Sequence, residues 1–145
     1  MRVVLDVNVW ISGLLWGGVP KQILGLARSG VVKVFVSEPI LIELREVLLR
    51  DKFQLRIRSL GIKAENLMDI VSQLSEVCMP VSVNVPKLRD PDDAVILGTA
   101  VAANAVVVSG DRDLLVLEDF SGILILSPTD CLGRLVSIDG DREST

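Results

Sequence analysis

The chain contains no histidine and no tyrosine, and its aromatic residues amount to two tryptophans and three phenylalanines. Half of the residues are hydrophobic, so the core must be built from aliphatic side chains. The two cysteines, Cys78 and Cys131, are too few for a disulfide framework and lack the spacing of a zinc site. We predict that both are buried thiols.

Long apolar runs are missing as well. No stretch reaches the roughly 18 residues expected of a membrane span. The N-terminus starts directly on the strand-like MRVVLD, without a leader pattern. A length of 145 residues fits one domain with a sizeable core. We predict a cytoplasmic protein that does not associate with a membrane. It is expected to have one domain over 1–137 and a polar tail over 138–145.

The formal net charge of −4 argues against a nucleic-acid binder, which usually shows a basic footprint. One stretch of the chain is nevertheless rich in cations: Arg45, Arg50, Lys52, Arg56, Arg58 and Lys63. A local basic flank can guide a phosphate backbone even when the total charge is negative. A solvated helix face explains the same residues equally well, and both interpretations stay open.

Short β-branched runs alternate with longer segments of helical period, which is typical of βαβ units. We predict an α/β fold with a central, mainly parallel sheet of about five strands, at 2–6, 32–36, around 77–81, 105–108 and 122–126. Helices are predicted from about residue 8, over 20–29, 38–50, 64–76 and 91–104, and after Pro128. Gly30 is expected to close the second helix, and Ser37 to cap the third.

Two carboxylates follow predicted strands: Asp6 ends the first, and Asp111 comes just after the fourth. Ligands of open α/β sheets bind beyond the carboxyl ends of the strands. The two acids therefore converge if their strands are neighbours at the centre of the sheet. Asp6 could instead cap the helix after it. Asn8 and Ser12 are candidate supporting residues, Asn8 as a hydrogen-bond partner that orients the site.

Glu43 lies at the edge of an apolar helical stripe and has no cation close to it in sequence. Glu46, by contrast, has Arg50 four residues later and fits an exposed ion pair. An ionised carboxylate beside a core is unfavourable unless a counter-charge offsets it. We therefore assign Glu43 to a site and Glu46 to the surface.

Asp93 shares a predicted helix face with Ile96 and Leu97, the face that must pack inward. Its neighbours Asp90 and Asp92 are explained by the preference for acids at the start of a helix. An inward carboxylate suggests a ligand, so Asp93 joins the site, with Asp92 as a secondary candidate.

Asp111 and Asp113 lie in a tight loop, where Gly110 lets the backbone approach a ligand closely. Two carboxylates at this spacing can face one cation. Asp111 is the first choice as a ligand and Asp113 a further one. The remaining candidates are a supporting residue, Ser109, and two substrate-binding residues, Arg45 and Arg112.

Several carboxylates in one pocket repel each other and raise their pKa values. A bound divalent cation removes that conflict, and oxygen-only ligands suit Mg²⁺ or Mn²⁺ rather than zinc. Such a site could bind a phosphodiester and activate water for in-line attack. The sequence leaves open whether one or two ions bind.

At these residues the chain resembles the PIN-domain proteins, and among them the toxins of VapC-like toxin–antitoxin systems. The resemblance runs from Met1 to about Cys131 and rests on four segments: VVLDVNVWIS, SEPILIELREVL, RDPDDAVILGTAVAANA and VVVSGDRDLL. It implies a three-layer α/β/α fold and metal-dependent endoribonuclease chemistry on RNA. It also implies frequent homodimers and, for toxins, inhibition by a cognate antitoxin.

The resemblance places the acidic quartet of the family on Asp6, Glu43, Asp93 and Asp111, with Asp113 as a frequent fifth acid. The chain departs from the family at Val7, where many relatives have threonine or serine. A hydroxyl near the site is therefore missing.

Two other functions compete. A phosphatase or phosphotransferase could use Asp6 as a nucleophile, although haloacid-dehalogenase-like sites usually have a second Asp where this chain has Asn8. A non-catalytic module could keep the fold to bind RNA or a protein. The unpaired acids near the core argue against this module.

Overall fold

The computed structural model describes residues 1–144, with side chains described up to Ser137. At its centre lies a six-stranded sheet in the order β3-β2-β1-β4-β6-β5. The strands are β1 (Arg2–Leu5), β2 (Lys33–Val36), β3 (Ser75–Val77), β4 (Val106–Val108), β5 (Asp119–Phe120) and β6 (Ile123–Leu126). All pairings are parallel except that of β5 with β6. The predicted α/β/α class with a mainly parallel sheet is confirmed.

Helices flank this sheet: α1 (Val7–Leu15), α2 (Val19–Arg28), α3 (Glu38–Leu48), α4 (Asp51–Ser59), α5 (Ala64–Leu74), α6 (Pro91–Ala103), α7 (Arg112–Leu115) and α8 (Pro128–Ser144). The predicted helices agree with these bounds closely, whereas α4 and the single turn α7 were not resolved by the sequence pattern. α8 continues through most of the predicted tail at 138–145. Side chains beyond Ser137 are outside the described part of the chain, so the boundary at residue 138 stays a prediction.

The connection pattern changes direction at the centre of the sheet. β1 pairs with β2 on one side and with β4 on the other. From β1 the chain moves outward through β2 to β3, and α6 then returns it to β4. The carboxyl ends of β1 and β4 thus flank the topological switch point, where open α/β sheets bind ligands. The expectation that these two strands are central neighbours is confirmed.

Two strand predictions need correction. The third strand was expected around 77–81, but it covers Ser75–Val77 at the edge of the sheet. The N–H of Cys78 still donates to the Val36 carbonyl at 2.8 Å, whereas Pro80 has no N–H to continue the ladder. β5 was not predicted, because two residues are too short to show a strand period.

Both predicted capping residues stand at the ends of helices, but the side chain of Ser37 does not make a capping hydrogen bond. Gly30 follows the C-cap of α2 with φ = 86°, a left-handed conformation in which glycine is least strained. Ser37 stands at the N-cap position of α3, but its side chain makes no capping hydrogen bond. Its hydroxyl is instead buried against the Thr99 hydroxyl of α6, with 2.8 Å between the oxygens. A tertiary contact has replaced the expected local one.

The core is aliphatic, as predicted. Among the described residues, Trp10 is the one aromatic side chain in the group of largest fully buried residues. Cys131 is also fully buried, and burial raises the pKa of its thiol to about 11. Cys78 is half-buried, so the prediction of two buried thiols holds only for Cys131.

Among the described residues, no helix combines the length and the apolarity needed to cross a membrane.

Gly98 marks the place where the segment after β3 crosses α6. The N–H of Val81 donates to the Gly98 carbonyl at 3.1 Å, and a Cβ at residue 98 would lie 2.1 Å from the Val81 carbonyl oxygen. We expect Gly98→Ala to destabilise the fold by about 2–3 kcal/mol, because two stretches of backbone would have to separate. Urea unfolding checks this, with Gly25→Ala as control, since a Cβ there meets nothing within 4 Å.

Candidate metal centre

Ser109 joins the ends of the two central strands. Its hydroxyl donates to Asp6 Oδ2 at 2.7 Å and accepts from the Asp111 N–H at 2.9 Å. Asp6 directly follows β1 and makes no side-chain cap to α1, so the alternative role as a helix cap is not realised. Ser109 itself is fully buried. The predicted supporting residue therefore fixes two of the predicted acids relative to each other.

The side chain of Asp93 reaches the same site, near Asp6 and Asp111, from the first turn of α6. The Asp90 side chain caps this helix by accepting from the Asp92 N–H at 2.9 Å, as the sequence suggested. Asp93 points inward and is only 5% exposed. Its Oδ2 is buried and, among the described residues, has no hydrogen-bond partner. A polar atom in this situation is unfavourable unless a ligand satisfies it.

Asp93, Asp111 and Asp113 together form the candidate metal centre. One carboxylate oxygen from each lies within 4.8 Å of the others. Asp111 also caps α7, since its Oδ1 accepts from the Asp113 N–H at 2.9 Å. This local bond holds the two loop acids in a fixed relation while α6 supplies the third.

Burial and mutual repulsion make these acids weaker than usual. Burial is the largest cause that raises the pKa of Asp6, against the hydrogen bond from Ser109, which lowers it. Burial, followed by the charge of Asp111 and a hydrogen bond with it, raises the pKa of Asp93 to about 7. The negative charge of Asp6 adds to this shift. The acids therefore share one electrostatic environment.

Glu43 belongs to a neighbouring pair rather than to the three-acid centre. Burial, followed by the charge of Asp92 and a hydrogen bond with it, raises the pKa of Glu43 to about 7. Asp6 also contributes to that increase, which links the pair with the centre. Asp92, which the sequence explained mainly by helix capping, is thus a partner of Glu43. Only the packing of α3 against α6 brings them together, so neither helix alone shows the pairing.

Glu46 is exposed, as predicted, but it does not form the predicted ion pair with Arg50. α3 ends at Leu48, so Arg50 lies outside it and the i,i+4 geometry is lost. Glu46 instead lines a groove of about 350 Å³ together with Glu38, Glu43 and Asp92. Acids therefore continue along α3 away from the metal centre.

Protein cations do not neutralise this cluster. In the part of the chain with described side chains, the one ion pair is Lys33–Glu76, with 3.1 Å between Nζ and Oε1. A divalent cation is then the counter-charge that fits. The orphaned Asp93 oxygen and the oxygen-only donor set suit Mg²⁺ or Mn²⁺.

The structure does not assign a role to the remaining predicted residues. Asn8 is exposed and Ser12 is half-buried on α1, and neither side chain forms a hydrogen bond among the described residues. Arg112 is exposed between the two loop acids. Arg45 lines a different cavity, of about 430 Å³, with Arg58 and Lys63. The roles proposed for these residues stay predictions.

The raised pKa values give the metal-free protein a defined pH dependence. Glu43 and Asp93 titrate near 7 in the folded state, against 4.5 and 3.8 ordinarily, so folding takes up protons between these values. This stability is complete below about 4 and is lost as pH rises through 7. Glu43 is half-buried, so solvent screening limits its share of the loss to on the order of 1 kcal/mol. Urea unfolding in EDTA from pH 5 to 8 should show the decline, and Asp93→Asn should flatten it.

This chain is thus of the class of α/β proteins that gather carboxylates at the topological switch point of a central, mainly parallel sheet. The family model of the PIN domain matches residues 2–113, and the chain therefore belongs to the PIN-domain family. A protein of Methanocaldococcus jannaschii described as "Uncharacterized protein MJ1680" is 30% identical over 122 residues, covering 82% of this chain and 76% of its own.

The fold is also similar to that of a solved structure, VapBC2 from Rickettsia felis bound to a DNA fragment from its promoter. The TM-score is 0.60 at 14% identity, and the match covers 88% of this chain and 98% of that one. At this identity the similarity supports the fold alone. The predicted membership of the PIN-domain family is thus confirmed by the family model, and the resemblance to VapC-like toxins stays a prediction.

Proposed function

We propose that this chain is a metal-dependent endoribonuclease that hydrolyses RNA phosphodiester bonds with Mg²⁺ or Mn²⁺. The observation that carries the proposal is the buried, unpartnered Oδ2 of Asp93 beside the carboxylates of Asp111 and Asp113. Membership of the PIN-domain family supports nuclease chemistry. RNA as the substrate follows from the resemblance of the sequence to VapC-like ribonucleases.

In this mechanism, Asp93, Asp111 and Asp113 would hold a divalent ion. When bound, the ion supplies Lewis-acid polarisation of the phosphate and a more acidic water. Asp6 adds a further carboxylate, which Ser109 holds in place through its 2.7 Å hydrogen bond. Glu43 would supply another carboxylate beside Asp92, next to the three-acid centre.

The test is cleavage of a 5′-labelled RNA with Mg²⁺ or Mn²⁺ titrated into metal-free protein. We expect cleavage that rises with metal, stops with EDTA and is absent in Asp6→Asn. Asp69→Asn is a matched control, because Asp69 is an exposed acid on α5 outside the cluster. Unchanged cleavage by Asp6→Asn would reject the proposal.

Two other outcomes would favour the competing functions. A phosphoryl group trapped covalently on Asp6 would indicate a phosphotransferase. If neither ion binds nor raises the melting temperature, a non-catalytic binding module becomes the better explanation.

More specifically, we propose that the chain is a cytoplasmic toxin. It would act as a homodimer, and a cognate antitoxin would inhibit it. The similarity to VapBC2 supports it through the fold. Expression in a bacterial host would test the toxin role. The wild type should arrest growth, and the Asp6→Asn variant should not. Sedimentation of the purified chain would test the dimer.

A further inference from the structure

A second group of functional side chains lies apart from the acids, where α1 ends beside α4. It consists of Trp16, Phe53, Lys52 and Arg56, which we call the aromatic–basic patch. The rings of Trp16 and Phe53 pack edge to face, with 5.9 Å between centroids and an interplanar angle of 65°. Trp16 is 44% exposed, whereas the other tryptophan of the chain, Trp10, is fully buried. Part of the Trp16 ring is therefore open to solvent.

A cationic side chain lies near each ring of the patch. Lys52 Nζ lies 5.0 Å from the Phe53 centroid, and the Arg56 guanidinium lies 5.8 Å from that of Trp16. Arg56 Nε donates to the Leu15 carbonyl at 2.6 Å, so the end of α1 fixes the guanidinium in place. Neither cation forms an ion pair with an acid in the part of the chain with described side chains. The patch is thus a fixed, positively charged aromatic surface on a chain of net charge −4.

The patch has a defined relation to the metal centre. Asp6 immediately precedes α1 and Trp16 immediately follows it. Ten residues at 1.5 Å each separate them by about 15 Å along the helix axis. A nucleic-acid strand that passes the acids can reach this distance with a few nucleotides.

We propose that the aromatic–basic patch binds a single-stranded segment of RNA, with a base stacked on Trp16 and phosphates near Lys52 and Arg56. The inference rests on the proposed RNA substrate and states where that substrate contacts the protein outside the acids. Every base has a π-face, so stacking on an exposed aromatic ring tolerates any sequence, and adjacent cations track the backbone. The acids need such an anchor, because they repel RNA whenever metal is absent.

The experiment measures binding without cleavage. Fluorescence anisotropy follows a labelled single-stranded RNA of about 12 nucleotides, within the usual range of site sizes, added to metal-free protein in EDTA. We expect Trp16→Ala to weaken binding about 10-fold. Lys52→Gln should lower the slope of log K against log salt by about 0.7, the value for one phosphate contact with a single strand. Lys52 is exposed, so this variant tests the proposal even if Trp16→Ala does not fold.

Two controls match these changes. Lys21→Gln removes an exposed cation from α2, and Leu55→Ala removes a 77% exposed apolar side chain from α4. Neither should alter RNA affinity. Unchanged affinity in both patch variants, or no RNA binding by the wild type, would overturn the proposal.

Cleavage separates this inference from the proposed function. Trp16→Ala should raise KM for a long RNA with little change in kcat, and leave cleavage of a dinucleotide unchanged. If Trp16→Ala is active and its KM is unaltered, the proposed role of the patch in RNA binding is refuted, while the proposed nuclease function still stands. A changed oligomeric state of Trp16→Ala with unchanged RNA affinity would assign the surface to a second copy of the chain instead.

Discussion

Replacing Asp93 with asparagine is expected to reduce metal-dependent RNA cleavage about a thousand-fold. Asp93 supplies the most deeply buried carboxylate of the three-acid centre. Asparagine has nearly the same shape but lacks the charge that attracts a divalent ion. A loss of about 4 kcal/mol in transition-state stabilisation corresponds to this decrease.

The same substitution should stabilise the metal-free protein. The buried Oδ2 of Asp93 has no partner among the described residues, and the negative charges of Asp111 and Asp6 surround the side chain. Removing one charge from this group relieves repulsion, while the amide of asparagine can donate to a neighbouring carboxylate. At pH 8 we expect the melting temperature in EDTA to rise by a few degrees.

Single-turnover cleavage and thermal melting with and without Mn²⁺ measure both effects. The wild type should melt at higher temperature with Mn²⁺, and Asp93→Asn should lose that increase. Asp69→Asn controls for the loss of an exposed acid. Cleavage within ten-fold of the wild type in Asp93→Asn would show that Asp93 does not hold the catalytic metal.

Ser109→Ala is expected to lower cleavage by about 10- to 100-fold, the range seen when an outer partner of a metal ligand is lost. The hydroxyl of Ser109 makes hydrogen bonds with both Asp6 and the backbone N–H of Asp111. Without it, Asp6 loses the larger of the two hydrogen bonds that lower its pKa against the effect of burial, the other coming from the Val7 backbone. The pKa of Asp6 should therefore rise further, and the acidic limb of the pH–rate profile should move to higher pH.

The shift of this limb distinguishes a positioning residue from one that only stabilises the fold. Ser37→Ala is the matched control, because Ser37 is also a fully buried serine that follows a central strand. Its hydroxyl contacts Thr99 rather than an acid. Ser37→Ala should reduce stability without moving the pH profile, and an identical effect of both substitutions would rule out the role given to Ser109.

The sequence predicted the parts of the site that depend on local pattern. Apolar strands that end in Asp6 and shortly before Asp111 were recognisable, and the central pairing of β1 with β4 brings these ends together. The inward face of α6 likewise distinguished Asp93 from its neighbours. In each case the period of the element determined where the side chain points.

Other parts depend on how separate elements pack, which the pattern of one element does not contain. The contact of Glu43 with Asp92 requires α3 to lie against α6. The capping hydrogen bond of Ser37 and the ion pair of Glu46 with Arg50 are missing for the same reason, since each was predicted from residues within four positions of it. Trp16 and Phe53 are far apart in sequence, and their contact depends on how α4 lies against the end of α1.

The hydrogen bond between Ser109 and Asp6 joins residues 103 positions apart. β4, which precedes Ser109, must insert beside β1 before the acids can meet. Closing a loop of this length costs chain entropy before the contact forms, so we expect the candidate metal centre to assemble late in folding.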